Sequence, residues 1–551
     1  MKSPLYGRSA RPGLTIAVAT ALCVTVFAGN SRAVEKSTHM VPMRDGTRLA
    51  TDVLLPDDAK SPLPVILIRT PYGRVGTGRG MAARFCPAGC AVVSQDMRGR
   101  GQSEGSDAVF FHNDGWGKRQ DGLDTLNWVT SQKWCNGKVG TWGGSALGIT
   151  QNMLAPVATE ALKAQYVSVA FSDMYTDLAY QGGAFRKELL EIWLERTKAD
   201  PANLKAFRAH PRYDEFWTVA NALPQAHRVN APGIFRGGWY DIVVQGTINS
   251  FTSIQNGGAP GAKGKCRLVI GPWAHGKFDE LKYPANAETP PKAVDLTRWF
   301  DHYLKGVDNG VPQDKAVHYY VMGDPDDPDA PGNFWRSADT WPPPAVATKY
   351  HLHADGKLST ARPQADDAKL SYKYDPKNPV PTVGGQNLNI PKGPRDQHAV
   401  ESRPDVLLFT GPTLSEPLEV TGRIRAKLYI SSDCPDTDFT VKLSDVYPDG
   451  RSMLVTDGIF RARYRKSFQR EDLLEPGKVY ELTVDLWSTS IVFNRGHKIR
   501  VAVSSSNSPR FEPNPNTGGP VGEQSASVAT NTVHLSRDHA SHMLLPLYSG
   551  K

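Results

Sequence analysis

The stretch Lys138-Val-Gly-Thr-Trp-Gly-Gly-Ser-Ala-Leu-Gly148 combines a short strand, a glycine turn and the beginning of a helix. The strand covers residues 138–142 and the helix can run from Ala146 to Leu154. Ser145 then lies on a sharp turn, in front of the free N–H groups at a helix start, which is the arrangement of a nucleophile elbow. A serine that only caps a crossover helix would give the same local pattern. This stretch alone leaves both interpretations open.

A second serine stands in the only literal G-x-S-x-G motif, Gly101-Gln-Ser-Glu-Gly105. Ser103 lies several residues beyond its strand, in the Arg- and Gly-rich loop that begins at Asp96. An elbow needs a strand running directly into the nucleophile, and Glu104 would oppose a developing oxyanion. We therefore predict that Ser103 is not a nucleophile.

Around the elbow, apolar strand-like runs alternate with helical patterns. Leu63–Arg69 and Ala91–Gln95 are predicted strands, and the same pattern resumes at Gly233–Trp239 and Arg267–Trp273. Alternating strands and helices are typical of a mostly parallel sheet covered on both faces.

Two of these later strands are followed by residues that could serve Ser145. Gly237-Gly-Trp-Tyr-Asp241 places a carboxylate at one strand end, and Gly271-Pro-Trp-Ala-His275 places an imidazole at the next. Each residue alone is unremarkable, since aspartate is common in turns. Their order, serine then acid then histidine, with each after a strand, predicts a catalytic triad of Ser145, Asp241 and His275.

Three different sequence patterns divide the chain into domains. Residues 34–170 and 233–341 are predicted to form one α/β core, and residues 171–232, with the amphipathic run Glu188–Lys198, an inserted helical cap. Ordinary crossover helices are the alternative for this insertion. After Pro342-Pro-Pro344, short alternating runs separated by Asp, Gly and Pro turns predict a β-sandwich over residues 342–551.

The N-terminal residues have the layout of a secretory signal peptide. Basic residues precede an apolar run from Leu14 to Ala28, and cleavage is expected after Ala33. The protein is therefore predicted to be secreted or periplasmic. The alternative is a membrane anchor, and the run is short for a spanning helix, which argues against it.

Composition excludes several classes of protein. The 551 residues are 40% hydrophobic and carry 64 Lys+Arg against 56 Asp+Glu, which excludes a disordered chain. The sequence contains no basic stripe of the kind that binds nucleic acids. No Cys or His spacing indicates zinc, and Asp324–Asp329 is predicted to be a solvated turn rather than a calcium loop. No metal or other cofactor is predicted, and Cys86 and Cys90 could form a disulfide or remain free thiols.

Several motifs together resemble the cocaine esterase (CocE/NonD) hydrolase family, which is related to X-Pro dipeptidyl-peptidases and α-amino acid ester hydrolases. They are Arg69-Thr-Pro-Tyr72, Gln95-Asp-Met-Arg-Gly-Arg-Gly101, Gly140–Gly148, Gly238–Asp241, Gly271–His275, Ser431–Phe439 and Phe493–His497. The resemblance implies an α/β-hydrolase core with an inserted helical cap and a C-terminal jelly-roll domain.

The resemblance also implies roles for individual residues. Ser145 is the expected nucleophile, His275 the general base and Asp241 the group that orients it. The Tyr72 hydroxyl and the Ala146 N–H are the expected oxyanion donors. The implied activity is hydrolysis of a small-molecule ester or amide through an acyl-enzyme, with no nucleic-acid or membrane partner and an open oligomeric state.

Two departures from the family pattern bear on the substrate. Ala146 stands where the family commonly has Tyr, and Ile242-Val-Val-Gln245 supplies no acid for a substrate ammonium group. With Asp177 as the remaining candidate acid, we expect a neutral or hydrophobic acyl group. Three tryptophans each stand within four residues of a triad member and are expected to pack the sheet, with one of them lining the acyl pocket as an alternative: Trp142, Trp239 and Trp273.

Other activities remain as alternatives at this point. Dipeptidyl release is less favoured because X-prolyl peptidases are expected to carry an extra N-terminal domain. An α-amino acid ester hydrolase or acylase is a second alternative. A non-enzymatic protein, whose jelly roll binds a ligand while the hydrolase half is incidental, is the third.

Overall fold

The computed structural model describes residues 34–57, 59, 61–520 and 525–550. The proposed signal peptide and its cleavage site, residues 1–33, lie outside the described residues. The N-terminal part alternates strands and helices, as the sequence predicts. Its elements are β1 (Val34–Pro42), β2 (Arg48–Pro56), β3 (Leu63–Thr70), α1 (Arg74–Phe85), β4 (Ala91–Asp96), α2 (Asp121–Thr130), β5 (Cys135–Gly144), α3 (Ala146–Leu154) and β6 (Leu162–Ser168).

A mostly helical insertion follows β6. It contains a short hairpin, which the sequence patterns did not predict, and three α-helices packed around the buried aromatic rings of Tyr175, Tyr180 and Trp217. The elements are β7 (Tyr180–Gln181), β8 (Ala184–Phe185), α4 (Lys187–Arg196), α5 (Ala202–Ala209) and α6 (Glu215–Thr218).

The chain then returns to the first sheet with β9 (Gly233–Tyr240), α7 (Val244–Gly257), β10 (Arg267–Ala274), α8 (Leu296–Lys305), β11 (Val317–Val321) and β12 (Phe334–Ala338). The described strands form a ten-stranded sheet in the order β1-β2-β4-β3-β5-β6-β9-β10-β11-β12. Neighbours from β4 to β11 pair in parallel, and the pairings at both edges are antiparallel. The carboxyl ends of β3, β5, β9 and β10 therefore meet at one edge of the sheet, which is where ligands bind in open α/β sheets.

The C-terminal part is all β except for one short helix, as predicted. Its strands form two antiparallel sheets, one of seven strands and one of four. The elements are β13 (Ala345–Leu352), β14 (Leu358–Ser359), β15 (Lys369–Tyr374), α9 (His398–Glu401), β16 (Leu407–Thr410), β17 (Leu418–Ser432), β18 (Asp438–Val446), β19 (Ser452–Arg461), β20 (Tyr480–Phe493), β21 (Lys498–Ser504), β22 (Ala529–His534) and β23 (His542–Tyr548).

The two parts are joined by direct hydrogen bonds. Met322, one residue after β11, donates to the Ser490 carbonyl at 3.0 Å and accepts from the Val492 N–H at 2.8 Å. Near the start of α7, the Ser488 hydroxyl of β20 donates to Gln245 at 2.9 Å. The C-terminal sandwich thus reaches the segment that follows Asp241, and the site must be considered with both parts present.

A second connection involves the acidic segment 324–329, which was expected to be a solvated turn. Asp324 is instead buried, 3.5 Å from His497 Nε2, while His497 Nδ1 lies 2.9 Å from Asp445 of β18. Burial disfavours the charged imidazole, but the Asp445 hydrogen bond and the charges of Asp445 and Asp324 outweigh it and raise the pKa of His497. The expectation was wrong for Asp324, because its partner comes from a distant turn of the sandwich, whereas Asp326 and Asp329 are exposed as expected.

We expect the stabilisation from His497 to depend on pH. Because the folded-state pKa is raised, its contribution is fully present below the unfolded pKa and is lost as the pH rises through the folded pKa. His497→Gln should lower the free energy of unfolding by about 3 kcal/mol at pH 6, since it leaves Asp445 and Asp324 buried without their cation. Denaturant unfolding from pH 5.5 to 9 should show this deficit shrinking. His398→Gln, at an exposed histidine, is the control; a deficit that does not change with pH would contradict the assignment.

Candidate active site

Ser145 stands at the junction of β5 and α3. Its backbone has φ +56° and ψ −126°, a strained combination for a residue with a side chain. The Ser145 N–H donates to the Ser168 carbonyl of β6 at 2.9 Å, and its own carbonyl accepts from Gly148 and Ile149 at 2.8 and 2.9 Å. The helix therefore begins directly behind Ser145, and the turn has the geometry of a nucleophile elbow.

Glycine spacing at the elbow follows from packing. A Cβ at Gly143 would lie 2.3 Å from Leu147 Cβ. A Cβ at Gly148 would lie 2.8 Å from the Ser168 carbonyl and 2.9 Å from Ala170 Cβ. The close approach of α3 to β6 therefore requires glycine at the third position after Ser145, and the irregular spelling of the motif reflects where the helix touches the neighbouring strand.

This packing predicts different effects of alanine at two nearby glycines. Gly148→Ala should lower the free energy of unfolding by about 2 kcal/mol, because the methyl group meets backbone and another Cβ at contact distances that must relax. Gly144→Ala is the control, since its Cβ would lie 3.4 Å from its nearest neighbour, Ser168 Cβ. Urea unfolding of both variants measures the difference. Equal stability of the two variants would contradict this explanation.

Asp241 and His275 meet Ser145 from the next strands. Asp241 follows β9, is fully buried, and accepts the Val243 N–H on Oδ1 at 2.9 Å. His275 follows β10, with Nδ1 2.8 Å from Asp241 Oδ2 and Nε2 3.1 Å from Ser145 Oγ. The structure thus brings the three residues into one chain of hydrogen-bond contacts, in which the imidazole can accept the Ser145 proton while the carboxylate accepts the other N–H.

Tyr72 and Ala146 lie beside Ser145. Ala146 is the buried first residue of α3, so its N–H has no acceptor within the helix. Tyr72 follows β3, and its hydroxyl oxygen accepts the Trp193 indole N–H of α4 at 3.2 Å. Burial of the hydroxyl group raises the pKa of Tyr72, although hydrogen bonds with Trp193 and Ser145 partly oppose this. Because an indole N–H can only donate, the Tyr72 proton remains available to a different acceptor.

The three tryptophans named from the sequence differ in their surroundings. Trp142 is half-buried and packs against the sheet core. Trp239 is buried and donates its indole N–H to the Tyr320 carbonyl at 2.8 Å, and the Trp273 ring lies under the Arg236 guanidinium at 4.0 Å. These contacts favour the packing interpretation for Trp239 and Trp273.

Two residues beside Tyr72 were not predicted from the sequence. Trp193 is the first, and Arg100 is the second: its guanidinium donates to the Pro71 carbonyl at 3.1 Å and to the Thr197 carbonyl at the end of α4 at 2.5 Å. Arg100 therefore ties the loop that carries Tyr72 to the inserted helices. For Trp193 the sequence indicated only a position on an amphipathic helix, and it did not indicate the contact with Tyr72.

Ser103 has a structural environment. Its hydroxyl donates to the Asp96 carbonyl at 2.7 Å and accepts the Ala50 N–H at 2.9 Å. The Asp96 carboxylate pairs with Arg74 at 2.7 Å rather than with an arginine of its own loop. This segment holds the base of α1 against β2 and β4.

Asp177, the acid considered for binding a substrate ammonium group, already accepts hydrogen bonds from its own loop. Asp177 Oδ2 accepts hydrogen bonds from the N–H groups of Ser172 and Asp173 at 3.1 and 3.0 Å. The same oxygen would lie 2.4 Å from a Cβ at Gly246, so it packs closely against that glycine. Burial raises the pKa of Asp177, although these hydrogen bonds oppose the effect. Its carboxylate serves the turn after β6.

Other features of the described residues can be stated briefly. No group of three or more His, Cys, Asp or Glu residues within the ranges given above could hold a metal ion. In the same part of the chain, no helix combines the length and apolarity needed to cross a membrane. Cys86 and Cys90 are buried free thiols, and burial raises the pKa of both, to about 12 and about 11.

Comparison with known proteins gives two family matches. Residues 45–200 and 187–277 match the X-Pro dipeptidyl-peptidase (S15) family, and residues 309–544 match the X-Pro dipeptidyl-peptidase C-terminal non-catalytic domain. The chain is 34% identical to the cocaine esterase of Rhodococcus sp. (strain MB1 Bresler) over 582 aligned positions, which cover 93% of this chain and 98% of that protein.

Two solved structures are similar to this chain over nearly its whole length. An aminopeptidase from a marine sediment Thaumarchaeota archaeon is similar with a TM-score of 0.81 and 26% identity, covering 95% of this chain and 98% of the other. An α-amino acid ester hydrolase is similar with a TM-score of 0.78, 26% identity and the same coverage.

Proposed function

Since the chain belongs to the cocaine esterase (CocE/NonD) family and is a serine hydrolase, we propose that it cleaves esters of small neutral acids through an acyl-enzyme formed on Ser145. The observation that carries this proposal is the contact chain Ser145 Oγ–His275–Asp241, with 3.1 and 2.8 Å between the partners. The same chain of contacts could serve amide hydrolysis, which makes greater demands on protonation of the leaving group.

The proposed reaction proceeds in two halves. His275 removes the Ser145 proton as Oγ attacks the ester carbonyl, and Asp241 stabilises the imidazolium that forms. The tetrahedral oxyanion receives hydrogen bonds from the Ala146 N–H and the Tyr72 hydroxyl. His275 then protonates the leaving alcohol, which breaks the C–O bond and leaves the acyl group on Ser145. Water, deprotonated by His275, attacks this acyl-enzyme and releases the acid.

The segment that follows Asp241 supports a neutral substrate. Val243 and Val244 are apolar and buried, so this segment supplies no countercharge for a substrate ammonium group. Asp177 Oδ2 already accepts hydrogen bonds from the N–H groups of Ser172 and Asp173 in its own loop. A buried substrate ammonium without a partner would be costly.

A second candidate function, hydrolysis of α-amino acid esters, is favoured by one observation. Glu188 of α4 is buried, and its Oε2 has no hydrogen-bond partner among the described residues. Its other oxygen accepts the Asn389 N–H at 2.5 Å. A free carboxylate oxygen on the inserted helix that also carries Trp193 is a possible acceptor for an ammonium group.

A substrate panel separates the two candidates. We expect p-nitrophenyl butyrate and benzoate to have higher kcat/KM than p-nitrophenyl esters of alanine and phenylalanine, with p-nitroanilides slowest. Glu188→Gln should then leave this order unchanged. Preference for the amino esters that disappears in Glu188→Gln would establish the second candidate in place of the first.

Loss of one proposed oxyanion donor gives a further prediction. Tyr72→Phe should reduce kcat by about 10²- to 10³-fold with little change in KM, because the hydroxyl acts on charge that develops in the transition state. Tyr350→Phe, at a partly buried tyrosine of β13, is the matched control. Steady-state kinetics on p-nitrophenyl butyrate measures both, and a Tyr72→Phe enzyme that changed only KM would argue against this role.

Export is also part of the proposal. It is supported by Lys2, Arg8 and Arg11 before the apolar run and by the small residues around Ala33. Intact mass of the protein recovered outside the cytoplasm should correspond to a chain beginning at Val34; a full-length mass there would contradict cleavage.

A further inference from the structure

A loop of the C-terminal part, residues 384–393, reaches the catalytic histidine. It is closed at its base by a pair of hydrogen bonds between Gly385 and Gly393, at 2.8 and 3.0 Å. Asn389 at its tip donates its N–H to Glu188 at 2.5 Å and accepts from Arg196 at 2.8 Å, both on α4. The 384–393 loop is therefore anchored to its own domain at one end and to the inserted helix at the other.

Lys392 connects this loop to His275. Its ammonium group donates to the His275 backbone carbonyl at 3.1 Å and to the Leu388 carbonyl at 2.7 Å. Burial lowers the pKa of Lys392, while the negative charges of Glu188 and Asp241 oppose this lowering. The hydrogen bond to the His275 carbonyl places this ammonium group at the backbone of the residue that follows β10.

The His275 backbone needs such a contact. His275 follows the last residue of β10, and the next residue, Gly276, has a φ of +107°, a conformation that few residues other than glycine adopt. The two side-chain contacts of His275 hold the ring, but the carbonyl lies at the start of an exposed loop. A hydrogen bond to that carbonyl restrains the rotation that would move the ring away from Ser145.

Resting on the proposed function, we propose that Lys392 is a positioning residue for the general base: its ammonium group fixes the His275 carbonyl and thereby the backbone from which the imidazole reaches Ser145. The charged groups that act on Lys392 are Glu188 and Arg196 from α4 and Asp241 after β9.

The experiment compares Lys392→Met, Lys392→Arg and Lys277→Met in the full chain. Lys277→Met is the matched control, because Lys277 is exposed on the same loop as His275. For Lys392→Met we expect kcat on p-nitrophenyl butyrate to fall about 10- to 100-fold with KM changed less than about twofold, since a small displacement of a catalytic group has effects of this order. Lys392→Arg, which keeps a cationic donor at this position, should restore most of kcat.

Titration with a fluorophosphonate gives the concentration of competent sites in every variant, so that misfolded enzyme does not enter kcat. Wild-type kinetics in Lys392→Met would overturn the proposal. So would a loss of kcat that Lys392→Arg does not restore, or a rise in KM as large as the fall in kcat, because neither result is expected of a residue that only positions the base. Fluorophosphonate labelling of the wild type tests the proposed nucleophile separately, and the two failures are therefore distinguishable.

Discussion

Ser145→Ala should lower kcat for ester hydrolysis by roughly 10⁵- to 10⁶-fold and abolish labelling by a fluorophosphonate probe. The substitution removes Oγ, which lies 3.1 Å from His275 Nε2. The remaining activity should come from substrate binding and the oxyanion donors, and it should proceed without an acyl-enzyme. Kinetics with p-nitrophenyl butyrate and gel detection of the probe measure the two effects.

Ser103→Ala is the control for this experiment, because Ser103 lies in the literal G-x-S-x-G motif. Its hydroxyl is bound between the Asp96 carbonyl and the Ala50 N–H. The variant should keep full labelling and wild-type kcat, with a loss of about 1 kcal/mol in the free energy of unfolding from the broken hydrogen bonds. Labelling that persists in Ser145→Ala, or that disappears in Ser103→Ala, would show the nucleophile to be misassigned.

The contrast between these two serines shows why a motif alone predicts poorly and its structural setting predicts well. Ser103 matches the motif but follows its strand by several residues, whereas Ser145 departs from the motif and stands directly between β5 and α3. Strand and helix patterns are local properties, so the sequence could place Ser145, Asp241 and His275 at the carboxyl ends of their strands. The reason for the unusual glycine spacing was not accessible, because Gly148 packs against Ser168 at the end of β6 and against Ala170 just beyond it.

Contacts between domains account for most of what could not be predicted. Trp193 reaches Tyr72 across 121 positions and Lys392 reaches His275 across 117. Neither contact follows from hydrophobic periodicity, which predicts helices and strands but not how an inserted helix and a sandwich loop pack over a sheet edge. The burial of Asp324 was missed for the same reason, since its partner His497 belongs to the sandwich. The local elements are encoded in short segments, whereas the surroundings of the catalytic groups depend on three parts of the chain at once.

Asp241→Asn should reduce kcat by about 10⁴-fold at neutral pH, although the two side chains have nearly the same shape. Asp241 accepts two N–H groups, from Val243 on Oδ1 and from His275 on Oδ2. An asparagine can offer only one oxygen. When that oxygen accepts from Val243, its NH₂ group faces His275 Nδ1 and favours the tautomer that carries the proton on Nε2. Nε2 would then present a proton to Ser145 Oγ and could not accept one.

The control is Asp279→Asn, the same substitution four residues after His275. Asp279 is 81% exposed and pairs with Arg395, so its loss should change kcat by less than about twofold, as expected for a surface ion pair. Imidazole proton resonances of the folded Asp241→Asn enzyme should show His275 with its proton on Nε2. If the proton of the variant instead stays on Nδ1, as in the wild type, and kcat is unchanged, then Asp241 does not orient the base, and the buried carboxylate only caps the turn at Val243.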